Sequence, residues 1–244
     1  MSVIVTATGN AGIHVAAPGA SVLIDALWEP VPQFLGGDRP SPTQHLPADL
    51  ILVTHAHWDH FSPGRVADAA ARTGASVVGS ADVARRLGGR VPDASMIVLD
   101  PPETPRGGPA ASARAELPGA TVTAFRTRHD RSHNSYLVQT GAFRFFHDGD
   151  NEDTRPLDAG VLGPLDALFL CPWQGSGWPE FVERVAPRRW FLIHLSDEEL
   201  AEHAAGKFLP GLCDRAVLPE RAAALGPGES FAFDSGAARF SGEP

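Results

Sequence analysis

Four potential metal ligands stand close together in the chain, directly after a short apolar run. The segment reads Leu50-Ile-Leu-Val-Thr-His55-Ala-His57-Trp-Asp59-His60. Imidazole and carboxylate groups suit Zn, Fe or Mn, and a site built from them requires no thiolate. The segment therefore offers a compact set of nitrogen and oxygen ligands at the point where a buried element ends.

The spacing of these side chains favours a strand end over a helix. In an extended chain His55 and His57 lie on the same side, because successive side chains alternate. A turn after Trp58 would direct Asp59 and His60 toward a second ion. Neighbours on a helix surface recur at three or four residues, and four candidate ligands within six residues are spaced more tightly than one helix face favours. We therefore expect a metal site in the turn that follows a strand.

Short apolar runs bounded by turn signals predict many strands and few helices. The expected strands are residues 3–7, 13–16, 21–25, 50–53, 76–79, 96–99, 121–126, 135–140, 143–147, 167–171, 190–193 and 230–233. The expected helices are residues 63–71, 81–87, 178–185, 197–205 and 220–225, and Ser80 is a suitable N-cap for the second. Strand-rich halves separated by helices fit two packed sheets with helices outside them.

Length and composition limit what can be expected of domain number, partners and location. The 244 residues fit one domain, 1–244, in which residues 100–120 form an irregular insertion loop rich in Pro, Gly and Ala. A net charge of −9 argues against nucleic-acid partners. The chain has no apolar run long enough for a membrane span, and its first residues lack the basic and apolar pattern expected of a signal peptide. Its two cysteines fit a reducing compartment. We expect a cytoplasmic protein, and the high Ala, Gly, Pro and Arg content is typical of GC-rich bacterial genomes.

The segment from His55 to His60 resembles the H-x-H-x-D-H signature of the metallo-β-lactamase superfamily. The early segment Gly9-Asn-Ala-Gly12 and the strand that ends at Asp25 resemble the branch that contains ascorbate-phosphate lactonase. The resemblance implies an α/β fold, a four-layer αβ/βα sandwich of two mixed sheets with helices on the outside. It also implies a metal-dependent hydrolase with two divalent ions, Zn first, with Mn or Fe as alternatives.

The same resemblance implies where the remaining ligands lie. A third histidine should follow a strand, and His129 is preferred, with His133 as the alternative or as a residue that supports the site or contacts substrate. A Gly-Asp pair should supply a bridging carboxylate, and Gly149-Asp150 fits better than Asp148. A last histidine should end a later strand, as His194 does. One ion would then use His55, His57 and His129, the other Asp59, His60 and His194, and Asp150 would bridge them.

Several neighbouring residues have expected roles beside these ligands. Asp25 and Asp148 could orient the imidazoles, and His147 should support the site or pack. Cys171 lies in an apolar run and is expected to be a buried small hydrophobe, with a ligand role as the less favoured alternative. The tryptophans Trp173 and Trp178 flank a Gly-rich loop and either line the substrate site or simply pack.

The chemistry implied by the resemblance is hydrolysis by a hydroxide that bridges the two ions. Asp59 or a metal-bound water would transfer a proton to the leaving group, and His133 is the second candidate catalytic residue. The expected substrate is a small ester, lactone or amide-like molecule. The alternatives are a phosphodiesterase of the phospholipase or nuclease kind and, less favoured, a non-catalytic metal-binding or diiron protein. The expected partner is a small molecule, and a homo-oligomer is compatible with the sequence.

Overall fold

The computed structural model describes residues 2–28, 46–104, 107–129 and 132–234, and its strands form two seven-stranded sheets. The first sheet contains β1 (Val3–Gly9), β2 (Gly12–Ala16), β3 (Ser21–Ile24), β4 (Leu50–Leu52), β5 (Ser76–Gly79), β6 (Met96–Val98) and β14 (Ser230–Phe233). The second contains β7 (Ser112–Leu117), β8 (Ala120–Arg126), β9 (Asn134–Thr140), β10 (Phe143–His147), β11 (Ala167–Leu170), β12 (Arg189–Leu192) and β13 (Ala222–Ala224).

Both sheets are mixed, with one antiparallel and one parallel part. The order in the first sheet is β14-β1-β2-β3-β4-β5-β6, and pairing is antiparallel up to β3 and parallel from β3 to β6. The order in the second is β13-β12-β11-β10-β9-β8-β7, antiparallel among β7 to β10 and parallel among β10 to β13. The last strand, β14, crosses over to pair with β1, so that Val3 lies opposite Phe233.

The main core lies between the inner faces of the two sheets. Alternating residues of the strands point inward, as period-two patterning requires. In β8, for example, Val122 and Ala124 are fully buried, whereas Thr123 between them is only partly so. The core includes Val5, Ile13 and Phe145, each nearly or completely inaccessible to solvent. Apolar surface from both halves of the chain is therefore removed from water in one layer.

Helices cover the outer face of each sheet. They are α1 (Pro63–Thr73), α2 (Ala81–Leu87), α3 (Ala159–Leu162), α4 (Trp178–Val185), α5 (Asp197–Ala204) and α6 (Phe208–Leu212). Val66 of α1 and Val83 of α2 pack on the first sheet, and Phe181 of α4 packs on the second. The expected four-layer αβ/βα sandwich is confirmed. The N-cap that we expected at Ser80 is also confirmed, because its side chain accepts a hydrogen bond from the Val83 amide.

Two of the sequence-based expectations about elements are wrong. The helix expected over residues 220–225 is a short 3₁₀ turn, Pro219–Arg221, followed by β13, because pairing with β12 overrides the helix propensity of three alanines. The second half of the expected insertion loop, 100–120, is an edge strand, β7, that pairs with β8. Within the described residues, no helix has the length and apolar character that a membrane span requires.

Candidate metal centre

The candidate ligands lie in loops that follow strands of both sheets. The segment from His55 to His60 follows β4, Asp150 follows β10, and His194 follows β12. Each of these strands is parallel to at least one neighbour, and the carboxyl ends of parallel strands are where ligands bind in layered α/β folds. The structure brings together all seven residues that the sequence indicated as ligands: His55, His57, Asp59, His60, His129, Asp150 and His194.

Three histidines form the first group of potential ligands. The Nε2 atom of His55 lies 2.9 Å from Nδ1 of His57. The Nε2 atom of His129 lies 3.3 Å from the same Nδ1 atom. Nitrogen ligands bound to zinc at about 2.0–2.1 Å in a tetrahedron lie about 3.3 Å apart. The three nitrogens therefore have the spacing needed to hold one ion.

Asp59, His60 and His194 form the second group. The Oδ2 atom of Asp59 lies 3.3 Å from Nε2 of His194 and 3.7 Å from Nε2 of His60. The imidazole of His60 is inaccessible to solvent, whereas Asp59 and His194 retain some exposure. The second group therefore has a buried side and an open side.

A single oxygen atom connects the two groups. Oδ2 of Asp150 lies 3.1 Å from Nε2 of His60 and 3.5 Å from Nε2 of His194 in the second group. It lies 3.6 Å from Nε2 of His129 and 3.9 Å from Nε2 of His55 in the first. Asp150 is thus placed where a carboxylate can bridge two ions, as the sequence indicated.

The polar atoms at this centre fit a bound metal. In the described part of the chain, the buried atoms His60 Nε2, His194 Nε2 and Asp150 Oδ1 make no well-directed hydrogen bond. Buried polar atoms without partners are rare in native proteins, and a bound ion is one of the usual reasons for them. Burial lowers the pKa of His60, but the carboxylates of Asp150 and Asp25 outweigh it and raise that pKa well above its ordinary value. The site thus concentrates negative charge that a cation would neutralise.

Asp25 and Thr54 determine which imidazole nitrogens face the centre. Asp25 Oδ2 accepts hydrogen bonds from Nδ1 of His60 at 2.9 Å and from the Thr54 hydroxyl at 2.5 Å. The Thr54 hydroxyl has only one proton, so its oxygen must accept the 3.0 Å bond from Nδ1–H of His55. His55 and His60 therefore both direct Nδ1 away from the centre and Nε2 toward it. This is the orienting position that the sequence suggested for Asp25.

Two further supporting residues were not found from the sequence. Glu152 Oε1 lies 3.1 Å from Nδ1 of His129 and can accept its proton. Asn10 donates through Nδ2 to the backbone oxygen of Asp59 at 2.9 Å, and its own backbone oxygen accepts from the His194 amide at 2.9 Å. The φ of +52° at Asn10 belongs to the tight turn between β1 and β2. In the sequence, the Gly9-Asn10 segment was notable only as part of the resemblance, and nothing there gave Asn10 a supporting role. No sequence signal indicated Glu152.

His133 stands behind Asp150 and does not face the open side. It is inaccessible to solvent, and its Nε2 accepts a 3.0 Å hydrogen bond from the Asp150 amide. Its Nδ1–H therefore donates to the Thr127 hydroxyl at 2.8 Å. Burial lowers the pKa of His133 well below its ordinary value, in keeping with this neutral form. With both nitrogens occupied, His133 is a positioning residue here, which differs from the catalytic role that we expected.

Asp148 and Cys171 lie outside the three candidate ligand groups of the described residues. The Asp148 carboxylate accepts from the Ser135 hydroxyl at 3.0 Å and from Nδ2 of the Asn151 side chain at 3.1 Å. Burial raises its pKa to about 7. Cys171 is buried in the core between the sheets, as the sequence indicated, and burial raises the pKa of its thiol well above the ordinary value.

His147 is a packing residue at the same edge of the sheet. Its ring is inaccessible to solvent, and its Nε2–H donates to the backbone oxygen of Ala11 at 2.9 Å. Its Nδ1 accepts a 3.2 Å hydrogen bond from the Gly149 amide. His147 thus joins β10 to the β1–β2 turn.

The two tryptophans of the Gly-rich loop have different positions. Trp178 is buried at the start of α4, with its ring centroid 5.9 Å from that of Trp190. Trp173 is 43% exposed, and its Nε1–H donates to the backbone oxygen of His194 at 3.1 Å. Packing was therefore the right interpretation for Trp178, whereas Trp173 borders the metal centre.

Sequence comparison identifies relatives over most of the chain. The family model described as "Beta-lactamase superfamily domain" matches residues 20–206. A UPF0173 metal-dependent hydrolase from the archaeon Pyrococcus furiosus is 29% identical over 176 residues, which cover 68% of this chain and 70% of that protein. A second, from Thermococcus kodakarensis, is 28% identical over 179 residues, which cover 66% of this chain and 74% of that protein.

Solved structures share the fold over almost the whole chain. The metallo-hydrolase Igni18 from Ignicoccus hospitalis has a TM-score of 0.65 at 17% identity, covering 96% of this chain and 99% of that one. The metallo-β-lactamase fold protein YhfI from Bacillus subtilis has a TM-score of 0.66 at 12% identity, with coverages of 96% and 100%. Together with the family match and the assembled ligands, these likenesses lead to one conclusion. The chain belongs to the metallo-β-lactamase superfamily and is a metal-dependent hydrolase.

Proposed function

We propose that this protein hydrolyses a small ester, lactone or amide-like substrate with two divalent metal ions, of which Zn is the preferred candidate. The observation that carries the proposal is the position of Asp150, whose Oδ2 atom lies within 4 Å of imidazole nitrogens in both ligand groups. A carboxylate that lies close to both ligand groups supports a site for two ions. When bound, paired ions polarise the electrophilic oxygen of a substrate and lower the pKa of water at the site.

Asp59 is the residue best placed to move a proton. Its side chain is 20% exposed and therefore reaches the open side of the centre, whereas His60 is fully buried. Asn10 holds it through the Asp59 backbone oxygen and, at 3.4 Å, through Oδ2. Burial raises the pKa of Asp59, but the imidazoles of His194 and His60 outweigh it and hold the pKa below its ordinary value. Asp59 is therefore ionised near neutral pH and can accept a proton before it passes one to the leaving group.

The first experiment measures metal content by mass spectrometry on protein purified without chelator, together with hydrolysis of lactones, esters and amides. We expect close to two ions per chain and turnover of one of these classes. Asp150→Asn should lose metal and reduce activity by more than the roughly 10–100-fold typical of residues that only support a ligand. Asp68→Asn, the same change on an exposed position of α1, is the matched control. Full metal content and activity in Asp150→Asn would contradict the proposal.

A phosphodiester substrate is the second candidate, and one observation favours it. Arg128 precedes the candidate ligand His129, and its side chain is largely exposed. The Arg128 guanidinium lies 3.8 Å from Glu152, whose carboxylate also contacts His129. A guanidinium at the edge of the centre would attract an anionic substrate. The panel should therefore include bis-(4-nitrophenyl) phosphate. If that compound is the preferred substrate and Arg128→Gln raises its KM selectively, the phosphodiesterase replaces the first candidate.

A further inference from the structure

Two exposed tryptophans border the metal centre. Six large hydrophobic side chains in the described part of the chain are strongly exposed: Ile4, Trp58, Val98, Val161, Trp173 and Leu212. The two aromatic ones, Trp58 at 47% and Trp173 at 43% exposure, are those beside candidate ligands. Exposed apolar surface around a polar centre is typical of ligand-binding grooves. These two rings are therefore unlike the scattered aliphatic side chains elsewhere on the surface.

The orientation of Trp173 is held by its contact with a ligand. Its indole Nε1–H donates to the His194 backbone oxygen at 3.1 Å, and the two ring centroids lie 5.3 Å apart at an interplanar angle of 78°. The only polar group of the indole is therefore already satisfied. What remains for a ligand is an apolar face whose conformational freedom has already been restricted.

Trp58 stands on the turn that carries ligands of both groups. It follows His57 and precedes Asp59. The turn is closed by hydrogen bonds from the amides of His60 and Phe61 to the His57 backbone oxygen, at 3.1 and 2.9 Å. The backbone beneath Trp58 is thus held on both sides of the indole. Its indole, 47% exposed, is therefore carried on a fixed turn between His57 of the first ligand group and Asp59 of the second.

We propose that Trp58 and Trp173 bind the non-reacting part of the substrate, and that this part is an aryl or extended alkyl group. The inference rests on the proposed function and specifies its substrate class: an ester, lactone or amide with an apolar group close to the scissile bond. The ring faces bury that group while the bond lies over the ligand groups. Binding energy from this remote contact positions the reacting carbonyl.

The test uses two hydroxamates and the zinc-loaded protein. Acetohydroxamate and phenylacetohydroxamate chelate metal through the same group and differ only by a phenyl ring. Isothermal titration calorimetry should show that phenylacetohydroxamate binds about tenfold or more tightly, since a buried ring contributes both area and π contacts. Trp58→Ala and Trp173→Ala should each reduce this ratio at least about threefold. The affinity for acetohydroxamate should remain within about twofold of the unmodified protein.

Two controls separate the aromatic face from other effects. Trp173→Phe keeps an aromatic face but loses the N–H donor, and it should retain most of the affinity ratio. Val161→Ala removes an exposed apolar side chain in α3, outside the metal centre, and should leave the ratio unchanged. Loss of the ratio in Trp173→Phe to the extent seen in Trp173→Ala would show that the hydrogen bond to His194 is responsible, and would overturn the role given to the ring.

The outcomes also distinguish this inference from the proposed function. Equal affinity for the two hydroxamates would overturn the inference, and so would an affinity ratio that is unchanged in both alanine variants. If such protein still binds metal and hydrolyses a substrate, the proposed function stands. Failure of both hydroxamates to bind a protein that takes up no metal would overturn the proposed function and the inference with it. Metal content is therefore measured on every variant before titration.

Discussion

At the scale of single residues, the candidate centre depends on side chains that fix the positions of protons. Asp25 accepts a hydrogen bond from the Thr54 hydroxyl, so that the Thr54 oxygen accepts one from Nδ1–H of His55. His133 acts through a backbone group instead, since its Nε2 accepts from the amide of Asp150. Each arrangement leaves a particular atom directed at the centre before any ion binds. Preorganisation of this kind reduces the cost of assembling several ligands around one ion.

Gly149 is required by the approach of His133, and substitution at this position tests the arrangement. A Cβ atom on Gly149 would lie 2.6 Å from His133 Nε2, and the φ is +60°. Gly141, with φ of +58°, has no atom within 4 Å of such a Cβ. Gly141→Ala should cost about 1 kcal/mol for the left-handed backbone alone, and Gly149→Ala about 1–3 kcal/mol more. Urea unfolding measures both, and metal content should fall only in Gly149→Ala.

Equal destabilisation by the two alanine substitutions would show that the contact with His133 is not tight. Retention of full metal content in Gly149→Ala would show that displacement of His133 is not transmitted to Asp150.

Ligands with local patterns could be predicted from the sequence, whereas supporting residues could not. The cluster around His55 has a spacing that favours a strand-end turn, and Asp150 follows a glycine at the end of an apolar run. Asn10 and Glu152 lie in separate loops, and their contacts exist only once the strands have paired. The choice of His129 over His133 rested on resemblance, and the structure places only His129 among the ligand groups.

At the scale of elements, apolar runs of four to six residues were enough to find most strands, because burial between two layers requires them. The strand β7 was missed since its alternate residues are only partly buried and its composition is that of a loop. The helices α3 and α6, of four and five residues, are too short for a helical period to be visible. Both are defined by packing on the second sheet and not by local propensity.

The end of α4 contains strain that a single substitution should relieve. Ala186, the C-cap residue, is exposed and has a φ of +45°, a conformation that favours glycine. Ala186→Gly should stabilise the protein by about 0.5–1 kcal/mol. The matched control is Ala201→Gly, an exposed position inside α5, which should cost about 1 kcal/mol. Chemical denaturation of both variants checks the opposite signs, and destabilisation by Ala186→Gly would contradict the explanation.

At the scale of the whole molecule, the centre joins the two sheets. The segment from His55 to His60 follows a strand of the first sheet, and Asp150 and His194 follow strands of the second. An ion bound by residues from both halves acts as a link between them in the folded state only. The layered architecture could be predicted from the sequence, but the strand order could not, because pairing between distant strands has no local signal.

Metal removal should therefore lower the stability of the entire fold. At a free zinc concentration about 1,000 times Kd, binding adds about 4 kcal/mol to the free energy of unfolding. For a chain of this length each kcal/mol corresponds to about 2–4 °C in Tm. Differential scanning calorimetry with and without chelator measures the shift. His55→Ala should respond much less to chelator, and an unchanged Tm in the chelated unmodified protein would contradict the link between the sheets.

The crossing of β14 to β1 has a consequence for the nascent chain. Ribosomes add about 5–20 residues per second, so roughly 10–45 seconds separate the synthesis of β1 from that of β14. During this interval β1 has β2 on one side and lacks its second neighbour on the other. An unpaired strand edge can pair with another chain. The first sheet therefore lacks its last strand until residue 233 has emerged. Until then, the open edge of β1 is protected from other chains only if another part of the nascent chain or a bound protein covers it.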